Sequence, residues 1–115
     1  MRKRPAPKIV YIAHPISGAV KSNISRIEKI LEAQLQSRQR YMACAPYLDC
    51  CRYLTDDDED DRERSFAFNK RFFETRLIDE LWVCGRVSRG VRQEIDWAIE
   101  FGISVVFKDY DELVA

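Results

Sequence analysis

The chain has 115 residues, with 19 Lys and Arg against 19 Asp and Glu, 46% hydrophobic and 33% charged residues. That length suits one domain with a packed core, and the neutral balance argues against a nucleic-acid polymer or an anionic membrane as partner. No apolar run is long enough to span a bilayer, and no secretory segment follows the basic start, so the protein is expected to be cytoplasmic.

Residues 1–7 hold the only basic cluster, Arg2-Lys3-Arg4, followed by Pro5 and Pro7. They read as a short extended arm ahead of a single domain at 8–115. Cys44, Cys50, Cys51 and Cys84 have neither C-x-x-C spacing nor the spacing of common zinc modules, so free thiols and no metal are expected.

Lys8 to Ala13 (KIVYIA) is a short, β-branched, nearly continuous apolar run, the pattern of a central strand buried on both faces. It ends at His14-Pro15, and Ser17-Gly18 allows a tight turn. Ser22 to Ser37 follows with Ile24, Ile27, Leu31 and Leu35 at helical spacing. Ser22 or Asn23 is the expected cap, and Ser25 with Glu28 has capping-box spacing. Tyr41 to Ala45 is a second strand, stopped by Pro46. Leu48 to Leu54 fits a helical turn or a loop. Asp56 to Asp61 reads as a solvated acidic loop leading into a helix at Ser65 to Leu77, which carries Phe66, Phe68, Phe72 and Phe73. The acids of that run could also bind a divalent cation, but the run has no glycine at the turn position and no EF-hand spacing. Glu80 to Cys84 is the third strand, Ser88 to Phe101 a helix stopped by Gly102, and Ile103 to Phe107 the fourth strand. Asp109 to Ala115 is at most one helical turn.

This alternation predicts a flavodoxin- or Rossmann-like α/β domain, a three-layer sandwich around a parallel sheet of four strands, or five, in the order 2-1-3-4. In such sheets ligands bind beyond the carboxyl ends of the strands, where the direction of winding reverses. Two loops flank that point here, His14 to Val20 and Gly85 to Glu94.

Within those loops Glu94 is unusual by position. The apolar stripe of its helix runs through Val91, Ile95, Ala98 and Phe101 or Gly102, and Glu94 lies one turn from both Val91 and Ala98. Burial would raise its pKa and the helix N-terminus would lower it, so it fits a nucleophile or an acid/base as well as a simple helix-end charge. Ser88 suits an N-cap, and the Ser88-Arg89-Gly90 turn also offers free N–H groups to an anion. Ser17 and Gly18 add a hydroxyl and further donors. His14, the only histidine, is either a proton carrier or structural. Tyr11 either reaches the crevice floor or fills the core.

Tyr11-Ile12-Ala13-His14-Pro15, Asp79-Glu80-Leu81-Trp82-Val83 and Ser88-x-Gly90-Val91-x-x-Glu94, with Ala98 and Gly102-Ile103 following, together resemble the nucleoside 2-deoxyribosyltransferase superfamily over residues 8 to 107. The resemblance is closest to its small bacterial and phage members. It implies that Glu94 acts at the anomeric carbon, with Tyr11 in the catalytic group. Retaining transfer of this kind uses a carboxylate nucleophile. Ser88, where the transferases have aspartate and the monophosphate hydrolases serine, tilts the ligand toward a nucleotide. His14, Ser17, Gly18, Ser88 and Gly90 would then bind substrate or phosphate. The chain departs from the family in three places. The segment Phe68 to Arg71 offers Asn69, a candidate base-side residue, where the family has an aspartate. His14 replaces a glycine or serine. The chain ends soon after the fourth strand.

The expected function is therefore N-glycosidic bond hydrolysis or deoxyribosyl transfer on a nucleoside or nucleoside monophosphate, without a cofactor, by a homodimer or higher homo-oligomer. The alternatives are a non-catalytic nucleotide binder using the same crevice, and an oligomeric interaction protein with an exposed or ion-paired Glu94.

Overall fold

The structure, a computed structural model, describes residues 6–38 and 41–115; most of the basic arm expected at 1–7 lies outside them. Four strands, β1 (Ile9–Ala13), β2 (Met42–Cys44), β3 (Glu80–Cys84) and β4 (Ser104–Lys108), form one parallel sheet in the order β2-β1-β3-β4. Five helices complete the described chain: α1 (Val20–Leu35), α2 (Tyr47–Tyr53), α3 (Glu59–Glu74), α4 (Arg89–Glu100) and α5 (Tyr110–Val114). This is the single α/β domain, with the strand order, that the alternating pattern predicts.

The two central strands explain the continuous apolar runs. In β1, Val10 to Ala13 are all buried, and in β3 Leu81 to Cys84 are too. Alternate residues enter two separate clusters. Tyr11, Ala13, Leu81 and Val83 face Phe73 of α3 and Val91, Trp97 and Ala98 of α4. Val10, Ile12, Trp82 and Cys84 pack with Ile30 of α1 and Leu113 of α5. Each fully buried large side chain contributes about 1.5–3 kcal/mol by leaving water, so both faces of the sheet hold the fold together. Polar groups finish the lower edge of the central pair. Asp79 accepts from the Ile9 N–H at 2.8 Å, and Glu80 accepts from Lys8 at 2.9 Å and from the Trp82 indole at 2.8 Å.

Three boundaries differ from the sequence expectation, each for a local reason. Helix α1 begins at Val20 after Ala19, with no side-chain cap. Neither Ser22, Asn23 nor the Ser25–Glu28 pair caps it, because all of them lie inside the helix. The Asn23 amide instead donates to the Ile16 carbonyl at 2.9 Å and the Ser17 carbonyl at 3.4 Å. Helix α3 begins six residues before Ser65 and stops at Glu74, short of Leu77. Asp58 caps it by accepting from the Asp61 N–H, and Glu59, Asp60 and Asp61 occupy its first turn, where negative charge meets the positive end of the helix dipole. The supposed acidic loop is thus largely a helix start. Asp58, Asp60 and Asp61 lie close enough together to be compatible with a cation, but the capping role already accounts for them. The Leu48 to Leu54 segment resolves as α2. Gly102 ends α4 as expected, at φ 72°.

No described helix is long and apolar enough to cross a membrane. All four cysteines are free.

Candidate functional site

A cleft of about 600 Å³ opens at the carboxyl ends of β1, β2 and β3, where the winding reverses between β1 and β3. Its walls come from the loop after β1 (His14, Ile16, Ser17), from α2 and the loop after it, from α3, and from the turn and first half of α4. Of the residues singled out from sequence, His14, Ser17, Asn69, Ser88, Gly90 and Glu94 line it. Tyr11 reaches it from below, and Gly18 shapes its rim without lining it.

Glu94 sits on the cleft floor. Helix α4 buries Val91, Trp97 and Ala98, with Ile95 and Phe101 partly covered. Val91 lies three residues before Glu94 and Ala98 four after, so the carboxylate points the way the apolar stripe points. The Glu94 residue as a whole is half-buried because one side meets the cleft, while its carboxylate is packed among protein atoms. Burial pushes its pKa up to about 8, and a hydrogen bond from Tyr11 offsets part of that rise. No ion pair to Glu94 occurs among the described residues.

Tyr11 fills the core and also reaches the crevice floor. It is wholly buried in the middle of β1, with its ring 5.0 Å from Phe73 and 5.7 Å from Tyr47, and its hydroxyl donates to the Glu94 carboxylate. Burial first, then the Glu94 charge, holds the Tyr11 phenol well above its ordinary pKa, so it stays a donor. Tyr47 is likewise buried and lines the cleft. Its hydroxyl is committed to the Ile12 carbonyl at 2.5 Å.

His14 is closely packed at the cleft wall. Only 5% of its surface is exposed, Nδ1 lies 2.8 Å from the Pro15 carbonyl, and Nε2 lies 3.5 Å from the Arg26 Nε. A guanidinium can only donate and a carbonyl can only accept, so this network assigns the proton to Nδ1 and leaves Nε2 as acceptor. Burial lowers the His14 pKa; the Pro15 carbonyl opposes part of that, and the Arg26 charge adds the smallest effect, a further lowering. The ring is neutral near pH 7 and has both nitrogens occupied, which suits a wedge between loop and helix better than a proton carrier.

Two turns flank the cleft. The Ser88 hydroxyl accepts from the Val91 N–H at 3.3 Å, capping α4. Arg89 and Gly90 of that turn also line the cleft. A Cβ on Gly90 would meet nothing within 4 Å, so the turn itself does not need glycine there; the missing side chain keeps cleft space clear. Across from it, the Ser17-Gly18 turn is held by Asn23 and by Arg86, which donates to the Ser17 carbonyl at 3.3 Å. Gly18 adopts φ 96°, a conformation that a side chain would strain.

Several cleft residues carry no obvious sequence signal. Trp97 escapes the 3- and 4-residue stripe assigned to α4, yet it is 5% exposed and stacks with Phe73 at 5.4 Å and Phe66 at 5.0 Å. Tyr47 was legible in principle, since it stands just beyond β2 at the end of the sheet where ligands bind. Asp56, from the acidic run, also lines the cleft, as do Cys50 and Cys51. The Cys51 thiol is pushed up by burial and by Asp56, which makes it a poor nucleophile. Asn69 is half-buried, and its Oδ1 is sealed from water without a hydrogen-bond partner.

The site therefore combines one desolvated carboxylate steadied by a tyrosine, two flanking turns at Ser17-Gly18 and Ser88-Gly90, and aromatic walls. No curated protein matches the chain. Residues 8–108, which hold all of β1 to β4 and every cleft residue named above, match the family described as a domain of unknown function (DUF7768), and the chain belongs to that family.

Proposed function

We propose that this protein acts on the N-glycosidic bond of a nucleoside or nucleoside monophosphate, by hydrolysis or by deoxyribosyl transfer, with Glu94 as the group at the anomeric carbon. The observation that carries this reading is the Tyr11–Glu94 pair on the floor of an open cleft. A carboxyl group placed there can protonate a leaving base in its neutral form or attack the anomeric carbon in its ionised form. Tyr11 supports the ionised form by donating to it. The turns at Ser17-Gly18 and Ser88-Gly90 provide donors for a phosphate about one helical turn away, since α4 rises about 6 Å from Gly90 to Glu94. The resemblance of residues 8 to 107 to the nucleoside 2-deoxyribosyltransferase superfamily points the same way.

The deciding experiment incubates purified protein with a panel of nucleosides, deoxynucleosides and their 5′-monophosphates and follows free base by chromatography. Base release that Glu94→Gln abolishes supports the proposal. No release from any compound refutes it.

One observation favours the non-catalytic alternative. Helix α3 presents Asn69 to the cleft rather than an acid, so a proton for the leaving base would have to come from Glu94 itself or from Asp56. A binder without turnover would be stabilised by nucleotide and return it intact. The interaction-protein alternative draws less support, because it calls for an exposed or ion-paired Glu94, and Glu94 is neither.

A further inference from the structure

The two edges of the sheet are treated differently. At one edge β2 is three residues long and soon meets Pro46, so it offers little backbone to another strand. At the other edge β4 keeps all of Ser104–Lys108 in unbroken parallel register with Glu80–Cys84. It has no proline and no bulge, and among the described residues no strand pairs with its outer side. Its single charge does not guard that side, because the Lys108 ammonium lies 4.5 Å from the centre of the Trp82 ring on β3. An in-register apolar edge of this kind is a template for a further strand, and proteins that stay single blunt it with charges, prolines, bulges or a covering element.

The surface beside this edge is apolar. Register sets Val105 beside Leu81 and Phe107 beside Val83, so both lie on the sheet face that α4 covers. Phe107 is nonetheless 68% exposed. On α4, Trp97 turns toward Phe66 and Phe73 of α3, and Phe73 in turn meets Tyr11 of β1. Ile95 and Ile99 each stand two residues from Trp97, on the opposite side of the helix. That flank faces away from β1 and toward β4, and Ile99 on it is 69% exposed.

The strand is complementary to itself. Two copies of β4 running antiparallel about a twofold axis through Val106 set Val106 against Val106, Val105 against Phe107 and Ser104 against Lys108. The Val105–Phe107 pair occurs twice, on the α4 face, and joins a β-branched side chain to an aromatic one, a favourable cross-strand match. The Ser104–Lys108 pair lies on the other face and keeps the two lysines at opposite ends of the ribbon, so no like charges meet. A twofold interface requires such a self-match, because the same patch meets its own copy.

We propose that two copies of this chain pair antiparallel along β4, joining their four-stranded sheets into one continuous sheet, with Phe107, Ile95 and Ile99 of each copy packed over the seam. The proposal does not depend on the reading of the cleft, since none of these residues lines it.

The test is sedimentation velocity of the full chain across a range of concentrations. The expected result is a dimer of twice the 13.5 kDa chain mass that dissociates on dilution. Phe107→Lys, a change at an exposed position, shifts it to monomer, and circular dichroism shows that the variant stays folded. Charge at position 104 reads the register. Ser104→Lys, set against the Lys108 of the second copy, weakens the dimer by about threefold or more, and Ser104→Glu tightens it by a similar factor. That pair of variants decides the matter if Phe107→Lys does not fold. A protein that is monomeric at every concentration overturns the proposal. So does a dimer that persists in folded Phe107→Lys protein, or one indifferent to the sign of the charge at position 104.

Discussion

The Tyr11 hydroxyl donates to the Glu94 carboxylate across 83 residues of sequence, joining the middle of the central strand to the first half of α4. The pair fixes the geometry of the cleft floor and sets the charge on Glu94. Burial favours the neutral acid and the hydrogen bond favours the anion, and the balance puts the pKa at about 8.

Glu94→Gln keeps the size and most of the packing of the side chain but removes its ability to ionise. Base release should fall by at least about 100-fold, the lower range for losing an acid, base or nucleophile. Nucleotide binding should change far less. Chromatographic assay of base release beside calorimetric binding checks both halves.

Tyr11→Phe removes the donor that stabilises the ionised form. The Glu94 pKa should then rise further, by about one unit for a hydrogen bond of about 1–1.5 kcal/mol. If ionised Glu94 is the reacting form, the rising limb of the pH–rate profile should move to higher pH. An unmoved profile in a folded variant would separate Tyr11 from the chemistry.

Stability should also report the Glu94 proton. The unfolded side chain titrates near 4.5 and the folded one near 8. Between those values the unfolded chain has lost the proton and the native protein still holds it, so stability falls as pH rises through that window and levels above it. The total is about 5 kcal/mol at most. His14 slopes the other way: its folded pKa is lowered from 6.5, so stability is lost as pH falls below about that value. Denaturant curves of wild type and Glu94→Gln at pH 5, 6.5 and 8 separate the two. Relative to wild type, the variant should gain stability steadily with pH, because His14 is common to both.

Asn23→Ala frees the loop after β1. It removes the donor shared by the Ile16 and Ser17 carbonyls, so unfolding free energy should drop by about 1 kcal/mol. Any anion bound at the Ser17-Gly18 turn should bind more weakly, because the turn must then be ordered by the ligand. Thermal melts with and without a nucleoside monophosphate read both effects.

Most of the fold was legible because its strands obey a simple rule. Val10 to Ala13 and Leu81 to Cys84 are buried on both sides, and only an interior strand reads as an unbroken apolar run. Position also drew attention to Glu94, since a carboxylate on an apolar stripe invites a question wherever it occurs. Helix starts were harder. An acidic run looks the same in a loop as in the first turn of α3, and what decides between them is Asp58 as a cap. Asn23 has the composition of a cap and is used as a brace. Trp97 was invisible as a cleft residue because its role comes from Phe66 and Phe73 on another helix, which no local spacing can encode. The unpaired Asn69 oxygen is likewise a product of packing.

Besides its core packing, the last helix is linked to the loop after β1 through one side chain of α1, Arg26. The Arg26 guanidinium lies 3.7 Å from the centre of the Tyr110 ring and also reaches His14 at 3.5 Å. Tyr110 thus steadies an arginine that steadies the His14 wedge, which stands in the cleft wall on the far side of the sheet. Substituting the aromatic ring on α5 would loosen the opposite face of the protein, so a change 84 residues from Arg26 would register as altered ligand access, as though the sheet were a door frame and α5 its hinge pin.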